Sequence, residues 1–297
     1  MDKSRILFIV PLPPPVHGSA IVSQAIRDSI RINSIFETDY VNLSTSRKMN
    51  EIGKHSAKKI LRFFGSSVKM LYKLLFHRWD ACYLAITCHG IGFLKDVPFV
   101  ALCKWFSPKV ILHLHNKGLS KEVYRWPYCW LMPWIFRHTE VILLSERLYS
   151  DVASVVRPEQ VHICPNGLSS PVDIKEVSHS SVPHLLFLSN LIESKGVFVL
   201  LDACQILKDK GFSFVCDFVG GETKEITRRH LEEEVHQRGL EGYVVYHGPQ
   251  YGAAKEYFFQ KADIFVQPTF EDCFPLTLLE AMQHGLPVVS TDEGAIP

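Results

Sequence analysis

Short apolar runs alternate with longer amphipathic stretches along the chain. "RILFIV" (5–10), "DYVNL" (39–43), "DACYLAI" (80–86), "KVILHLH" (109–115) and "EVILLS" (140–145) are apolar at successive positions. A strand that is apolar on both faces is one that helices cover on both sides, so these runs predict parallel strands of one α/β unit. After "HICPNGL" (162–168) the stretch "SSPVDIKEVSHSSVP" (169–183) is rich in Ser, Pro and charge and reads as a linker. The alternation then restarts. Strands are predicted at "HLLFLSN" (184–190), "FVCDFVGG" (214–221), "YVVYHG" (243–248), "ADIFVQP" (262–268) and "PVVST" (287–291), with helices at 196–211 and around 222–238. The pattern gives two doubly wound α/β domains, 1–168 and 184–297, joined by the linker 169–183. Ligands of such folds sit beyond the carboxyl ends of the strands, which directs attention to a cleft between the domains.

Composition narrows the function. A chain of 297 residues with 47% hydrophobic and 21% charged residues is long enough for two medium domains. The formal net charge of +1 gives no global attraction to nucleic acid, and none is expected as a partner. Eight cysteines without a C-x-x-C pair, mostly in apolar runs, fit buried thiols in a reducing cytoplasm. The opening "MDKSRILFIVPLPPPVHGSA" has a charged head and a small-residue end, but prolines cut its apolar part to strand size, so it is not read as a secretion signal. No apolar run approaches the roughly 20 residues that cross a bilayer.

The segment 54–79 interleaves Lys58, Lys59, Arg62, Lys69 and Lys73 with Leu61, Phe63, Phe64, Leu71 and Leu75. That pattern suits a helix resting on an anionic bilayer. It equally suits a helix packed on the first sheet with its lysines solvated.

Four stretches fall at strand ends. Gly18 and Ser19, in "PLPPPVHGSAIVSQAI" (11–26), could offer backbone amides to a phosphate or sugar, or simply turn the chain. In "HLHNKG" (113–118), His113 and His115 share one face and Asn116 takes the other. The spacing suits a zinc pair, but no third ligand stands nearby in sequence. In "FLSNLIESKGVFVLLDA" (187–203), Lys195 and Gly196 sit where a loop enters an apolar helix, a place where a cation can hold a diphosphate. In "TFEDCFPLTLLEAMQHGLPVV" (269–289), Pro275 suits the first helical position, Gly285 the left-handed residue after the helix, and Pro287 blocks continuation. Amides near Phe274, Leu276 and Thr277 would then face an anion. Glu280 lies within that helix, whereas Glu271 and Asp272 precede it.

The glycine loop at Gly18, the "H-x-H-N" strand end at His115, "CPNGL" at Asn166 and Gly167, "SNLIESKG" at Lys195 and the closing "LLEAMQHGLPVVST" together resemble the group 1 family of retaining glycosyltransferases with the GT-B fold. The family motif is two glutamates with seven residues between, a register that puts Asp272 first and Glu280 second. The first acid is thus shortened by one methylene, and Asn190 stands where the family often has Arg. The resemblance implies two Rossmann-like domains facing across a cleft, the first binding the acceptor and the second a nucleotide-diphosphate sugar. It implies that Lys195 and the helix amides hold the diphosphate, Glu280 the nucleotide ribose and Asp272 the donor sugar, with Asn190 in the donor site; Glu271, one residue out of register near the end of an extended segment, should turn away from its neighbour to solvent. His115 would face the transferred sugar, and Gly18 would lie against the donor. Family members continue for several helices beyond the equivalent of residue 297, so the second domain is expected to lack them.

The expected reaction is metal-independent, cofactor-free transfer to a glycan or lipid-linked acceptor in bacterial polysaccharide assembly, in the cytoplasm or at the inner face of the plasma membrane. No two aspartates stand at the Asp-x-Asp spacing that metal-dependent nucleotide-sugar enzymes use. Three other classes remain to be weighed. A dinucleotide oxidoreductase would need G-x-G-x-x-G, but "CHGIGFLKD" (88–96) has Lys95 at the third glycine. A sugar-nucleotide epimerase shares the fold, and a non-catalytic sugar-nucleotide-binding protein would keep the site without the turnover.

Overall fold

The computed structural model describes residues 3–44, 57–168 and 181–297. The chain forms two compact units, Met1–Asn166 and Gly167–Pro297. The expected linker falls outside the described residues except for 181–183.

The first unit runs β1 (Arg5–Val10), α1 (Gly18–Asp28), α2 (Ile30–Ile35), β2 (Glu37–Asn42), α3 (Ala57–Phe76), β3 (Ala81–Ile86), α4 (Gly90–Phe106), β4 (Val110–Leu114), α5 (Leu119–Glu122), α6 (Tyr128–Phe136), β5 (Glu140–Leu143), α7 (Tyr149–Val152) and β6 (Val161–Ile163). Its six strands form a parallel sheet in the order β2-β1-β3-β4-β5-β6. All six residues of β3 are buried, as the two-sided apolar pattern requires. One face of the sheet carries α3, α4 and α6, whose Met70, Leu74, Phe93, Phe99, Met132 and Phe136 pack against Leu7, Ile9 and Leu84. The other face packs Phe8, Tyr83 and Ala85 under Ile26 of α1 and Ile32 of α2.

The second unit runs β7 (His184–Leu188), α8 (Val197–Asp209), β8 (Val215–Val219), α9 (Arg228–Gln237), β9 (Val244–Tyr246), α10 (Ala253–Lys261), β10 (Ile264–Gln267), α11 (Leu276–Gln283) and β11 (Val288–Ser290). Its parallel sheet has the order β11-β10-β7-β8-β9. The order reverses between β7 and β10, so the loops leaving these two neighbours flank a crevice. Buried charge also ties this unit together. Asp217 of β8 accepts from His247 Nε2 at 2.6 Å, His184 Nδ1 at 3.0 Å and Lys261 Nζ at 3.1 Å. These bonds hold its carboxyl below the ordinary range, although burial by itself pushes the other way.

Three sequence expectations need correction. The sixth strand of the first sheet, β6, was not predicted, because three residues are too few to show a period. The charged helix expected from 222 starts at Arg228. Thr223 ties the intervening turn down by donating to Leu191 O at 2.6 Å, and Thr227 caps the helix by accepting from His230 N at 3.2 Å. Pro275 caps α11 rather than opening it, with an extended ψ of 125°. Gly285, as expected, takes a left-handed φ of 73° after the helix.

Two glycines carry the close approach of strand ends in the second unit. Gly196 has φ 83°, and a Cβ there would sit 2.1 Å from the carbonyl oxygen of Pro268. At Gly220 the corresponding distance to Ser189 O is 1.8 Å. Gly65, inside α3, meets nothing within 4 Å and has ordinary helical backbone. Gly196→Ala should therefore destabilise the protein by about 3 kcal/mol or more in urea unfolding. Gly65→Ala should stabilise α3 by up to about 1 kcal/mol. Equal midpoints for the two variants would contradict this packing.

Candidate functional site

At the crevice of the second unit, the chain leaving β7 folds against the chain leaving β10. Phe270 N donates to Ser194 O at 2.9 Å and Thr269 Oγ1 to the same carbonyl at 3.1 Å. Thr269 is fully buried, whereas Phe270 is exposed. This junction delivers Lys195, the last residue of a short 3-10 turn (Glu193–Lys195), to the acidic motif. Lys195 Nζ donates to Asp272 Oδ2 at 2.6 Å and to Glu271 O at 2.9 Å. Both paired side chains are largely buried, which strengthens their attraction relative to a surface pair.

The offset between the two adjacent acids is thus resolved by partner. Asp272 turns its carboxylate to Lys195, whereas Glu271 offers Lys195 its backbone oxygen. Gln267, buried at the end of β10, reaches Asp272 Oδ2 at 3.4 Å through Nε2 and accepts from Thr277 Oγ1 at 2.9 Å. From the far side, Glu293 Oε1 accepts from Asp272 N at 3.2 Å and Ala295 N donates to Cys273 O at 2.7 Å. Gly294 permits this, since a Cβ there would lie 2.4 Å from Asp272 O. The motif loop is therefore fixed from three elements.

Glu280, on α11, receives Lys255 Nζ of α10 at 2.6 Å. Each motif carboxylate thus has its own lysine. Lys255 was missed in the sequence, because a lysine in "YGAAKEYFFQKAD" has the look of a solvated helix residue. Leu276 and Thr277 open α11, where helix geometry leaves amides without intrahelical partners, and Pro275 supplies no side-chain cap. Phe274, between Cys273 and the cap, is half-buried. Asn190 follows β7 at the same crevice. Its Oδ1 accepts from Gly221 N at 3.2 Å, bracing the glycine turn after β8.

In the first unit, His113 and His115 share one face as the strand period predicts, with ring centroids 4.0 Å apart. His113 Nδ1 bonds the hydroxyl of Tyr83. Gly18 opens α1 and would accept a Cβ without contact, so packing does not require a glycine there. The cap of α1 is His17, whose Nδ1 lies 3.1 Å from Ser19 Oγ. Burial pushes the His115 imidazole down to about 4, with a further effect from His17, and burial next to His115 pushes His113 down to about 2. Both rings are therefore neutral at pH 7, and the Nε2 atoms of both are buried without a hydrogen-bond partner among the described residues. His17 was not singled out in the sequence; its place one residue before Gly18, at a strand end, was the available signal. Among the described residues no group of three or more His, Cys, Asp or Glu is placed to hold a metal ion.

The chain leaving β4 past His115 is held by the side chains of Asn116 and Asp151. Asn116 Oδ1 accepts from Cys88 N at 3.0 Å. Asp151 accepts from the amides of Gly118, Leu119 and Ser120 at 2.9, 3.1 and 3.1 Å and from the Ser120 hydroxyl at 2.6 Å.

Because the histidines fold in neutral form with lowered proton affinity, the unfolded chain binds more protons between pH 6.5 and the folded values near 4 and 2. Stability should fall as pH drops through that window. The double variant His113→Asn/His115→Asn should lose less stability than the parent between pH 7 and pH 4 by urea titration. Parallel losses would mean that the rings are not buried neutral.

Comparison with known proteins now adds to this geometry. Residues 182–297 match the family model described as Glycosyl transferases group 1. An amylovoran biosynthesis glycosyltransferase, AmsK of Erwinia amylovora, is 27% identical over 176 residues, 56% of this chain and 42% of that protein. A putative colanic acid biosynthesis glycosyltransferase, WcaL of Salmonella typhimurium, is 29% identical over 152 residues, 47% of this chain and 36% of that protein. The matched chain thus spans less than half the length of these relatives. Among solved structures, sucrose-phosphate synthase of Thermosynechococcus elongatus aligns with TM-score 0.71 and 16% identity over 99% of this chain and 82% of that one. Anabaena Alr3699/HepE in complex with UDP-glucose aligns with TM-score 0.68 and 16% identity over 98% and 81%. Both curated relatives are named as glycosyltransferases, neither as an epimerase. The fold is thus that of the GT-B structures, two parallel sheets of Rossmann-like type, and the second unit, which carries the acidic motif, is the part that matches the group 1 glycosyltransferase model.

Proposed function

We propose that the protein is a retaining, metal-independent glycosyltransferase that moves a sugar from a nucleotide-diphosphate donor to a glycan or lipid-linked acceptor in bacterial polysaccharide assembly. The observation that carries this reading is the buried pairing of Lys195 with Asp272 at the β7/β10 crevice, beside the uncapped start of α11. Support also comes from relatives named for amylovoran and colanic acid biosynthesis and from fold neighbours whose structures hold UDP or UDP-glucose.

In this reading the donor's diphosphate lies against Lys195 and the Leu276 and Thr277 amides, with Phe274 and Asn190 lining the same site. Glu280 accepts from the ribose hydroxyls and Asp272 from those of the donor sugar. The anomeric carbon–oxygen bond breaks toward the diphosphate, which leaves with the bonding electron pair. The acceptor hydroxyl attacks from the same face, and its proton passes to the departing phosphate oxygen, so configuration is retained and no separate acid is needed. A preorganised donor on the leaving oxygen contributes roughly 3 kcal/mol of transition-state stabilisation. His115, neutral at neutral pH, offers the transferred sugar a hydrogen-bonding nitrogen rather than a charge. Gly18, at the start of α1, brings backbone amides to the donor.

The reading places the protein in the cytoplasm, with segment 54–79 against the anionic inner face of the plasma membrane. Residues 54–56 lie outside the described residues. Of the five apolar residues singled out in that segment, Phe63 packs on the core, whereas Leu61, Phe64, Leu71 and Leu75 are exposed. Lys73 is not a merely solvated lysine, since it pairs with Asp39 of β2. No described helix is long and apolar enough to cross a membrane.

Screening nucleotide-sugars for thermal stabilisation should single out the donor, because a bound ligand raises the melting temperature by mass action. With that donor, Lys195→Ala should lower turnover about 100-fold while circular dichroism shows a folded chain. Asp272→Ala should lower turnover chiefly, whereas Glu280→Ala should weaken binding even of the nucleotide without its sugar. Activity should survive EDTA; loss that magnesium or manganese restores would refute the metal-independent mechanism.

A further inference from the structure

The chain has five tryptophans. Trp79 is buried, but Trp105, Trp126 and Trp130 are 85%, 82% and 76% exposed, and Trp134 is exposed too. All four exposed indoles lie on or beside α4 and α6, the helices that share one face of the first sheet with α3. Alpha6 buries Tyr128, Met132, Ile135 and Phe136, and so turns Trp130 and Trp134, four residues apart, outward together. Lys104 of α4 fixes this helix. Its ammonium donates to the carbonyls of Trp134, Ile135 and Arg137 at 2.5, 3.0 and 2.7 Å and lies 4.9 Å from the Trp134 ring centroid. Beside them, α3 buries Met70 and Leu74 and turns out a second apolar stripe, Leu61, Phe64, Val68, Tyr72 and Leu75. Packing of α3 on α4 through Phe63 and Phe99, ring centroids 5.2 Å apart, joins the two surfaces.

Charge indicates what covers this face. Between residues 57 and 137 there are thirteen Lys and Arg against three Asp and Glu, in a chain of net charge +1. The three acids are engaged within the fold. Asp80 accepts from Arg5 N at 2.7 Å, Asp96 is buried against Thr87 N at 2.9 Å, and Glu122 pairs with Arg125 at 3.0 Å. Lys73 and Lys109 pair with Asp39 and Glu140 from outside this stretch, but Lys104 and Arg125 stand next to Trp105 and Trp126 in the chain, and cations beside exposed indoles fit the headgroup layer of an anionic bilayer. There the ring is half in hydrocarbon, its N–H stays wet, and each nearby cation gains from the surface potential.

We propose that Trp105, Trp126, Trp130 and Trp134 form an interfacial anchor, so that α3, α4 and the α6 region together seat the first unit on an anionic membrane. This rests on the membrane contact proposed for segment 54–79 and extends it to a broad platform, which fixes orientation as a single helix does not. The acceptor that such a seat would serve is a lipid-linked saccharide presented at the bilayer surface.

The test uses the full chain with phosphatidylcholine vesicles, with and without phosphatidylglycerol, some carrying brominated acyl chains. Anionic vesicles should bind the chain, shift its tryptophan emission to the blue and quench it when brominated; neutral vesicles should bind it far less. The surface variant Trp126→Ser/Trp130→Ser/Trp134→Ser should bind on the order of tenfold more weakly, and the corresponding Phe variant should recover most of the loss. Leu61→Ser/Phe64→Ser on α3 should weaken binding separately. If the α3 variant loses binding while the tryptophan variants bind like the parent without quenching, the anchor is wrong and the segment 54–79 reading stands. If the parent binds no anionic vesicles, both fall. A blue shift that follows protein concentration in the absence of lipid would make the face a contact between copies and overturn the anchor.

Discussion

The approach of Gly196 to the carbonyl of Pro268 is the constraint on which the second unit's site depends. Any side chain at 196 would overlap that oxygen, so a glycine with positive φ is the condition for the β7 and β10 loops to touch. Once they touch, Ser194 O becomes the shared acceptor for Phe270 and Thr269, and Lys195 has no course but toward Asp272. Strand order supplies the other half. Because β7 and β10 are neighbours at the reversal of the sheet, residues 77 positions apart in sequence emerge side by side.

The polar groups around this junction are satisfied before any ligand arrives. Two lysines from different elements meet the two motif carboxylates, and Gln267 links Asp272 to the first turn of α11. Removing one member of such a partly buried pair costs more than the pair contributes, since it strands the other charge. The arrangement holds the side chains in fixed directions, which is what a site that acts by electrostatic stabilisation needs. An ammonium has three donors, and Glu271 O and Asp272 Oδ2 take two of those on Lys195.

The first unit solves a different problem. It buries His113 and half-buries His115 at the end of β4, where desolvation keeps both neutral, and anchors the loop beyond them through Asp151 and Asn116. Its outer helices are apolar on two sides, one for the sheet and one turned outward. That second stripe is the surface the proposed membrane seat would use.

Two-sided apolar runs determined the class of both units from the sequence, because parallel strands cannot alternate polarity when helices cover both faces. The left-handed Gly285, the shared face of His113 and His115 and the placing of Lys195 and the acidic motif at strand ends followed from local geometry in the same way. Long-range choices were not legible. Nothing in "YGAAKEYFFQKAD" says that Lys255 meets Glu280, since the pairing depends on how α10 and α11 pack rather than on spacing within either. Nor does "SNLIESKG" say that Asn190 turns to Gly221, or that Gly196 is required by a carbonyl 72 residues on. The period of a segment is a property of its own backbone and can be read from its residues. Which of two adjacent carboxylates faces a lysine is decided by the order of strands in the sheet, and only the folded chain sets that order.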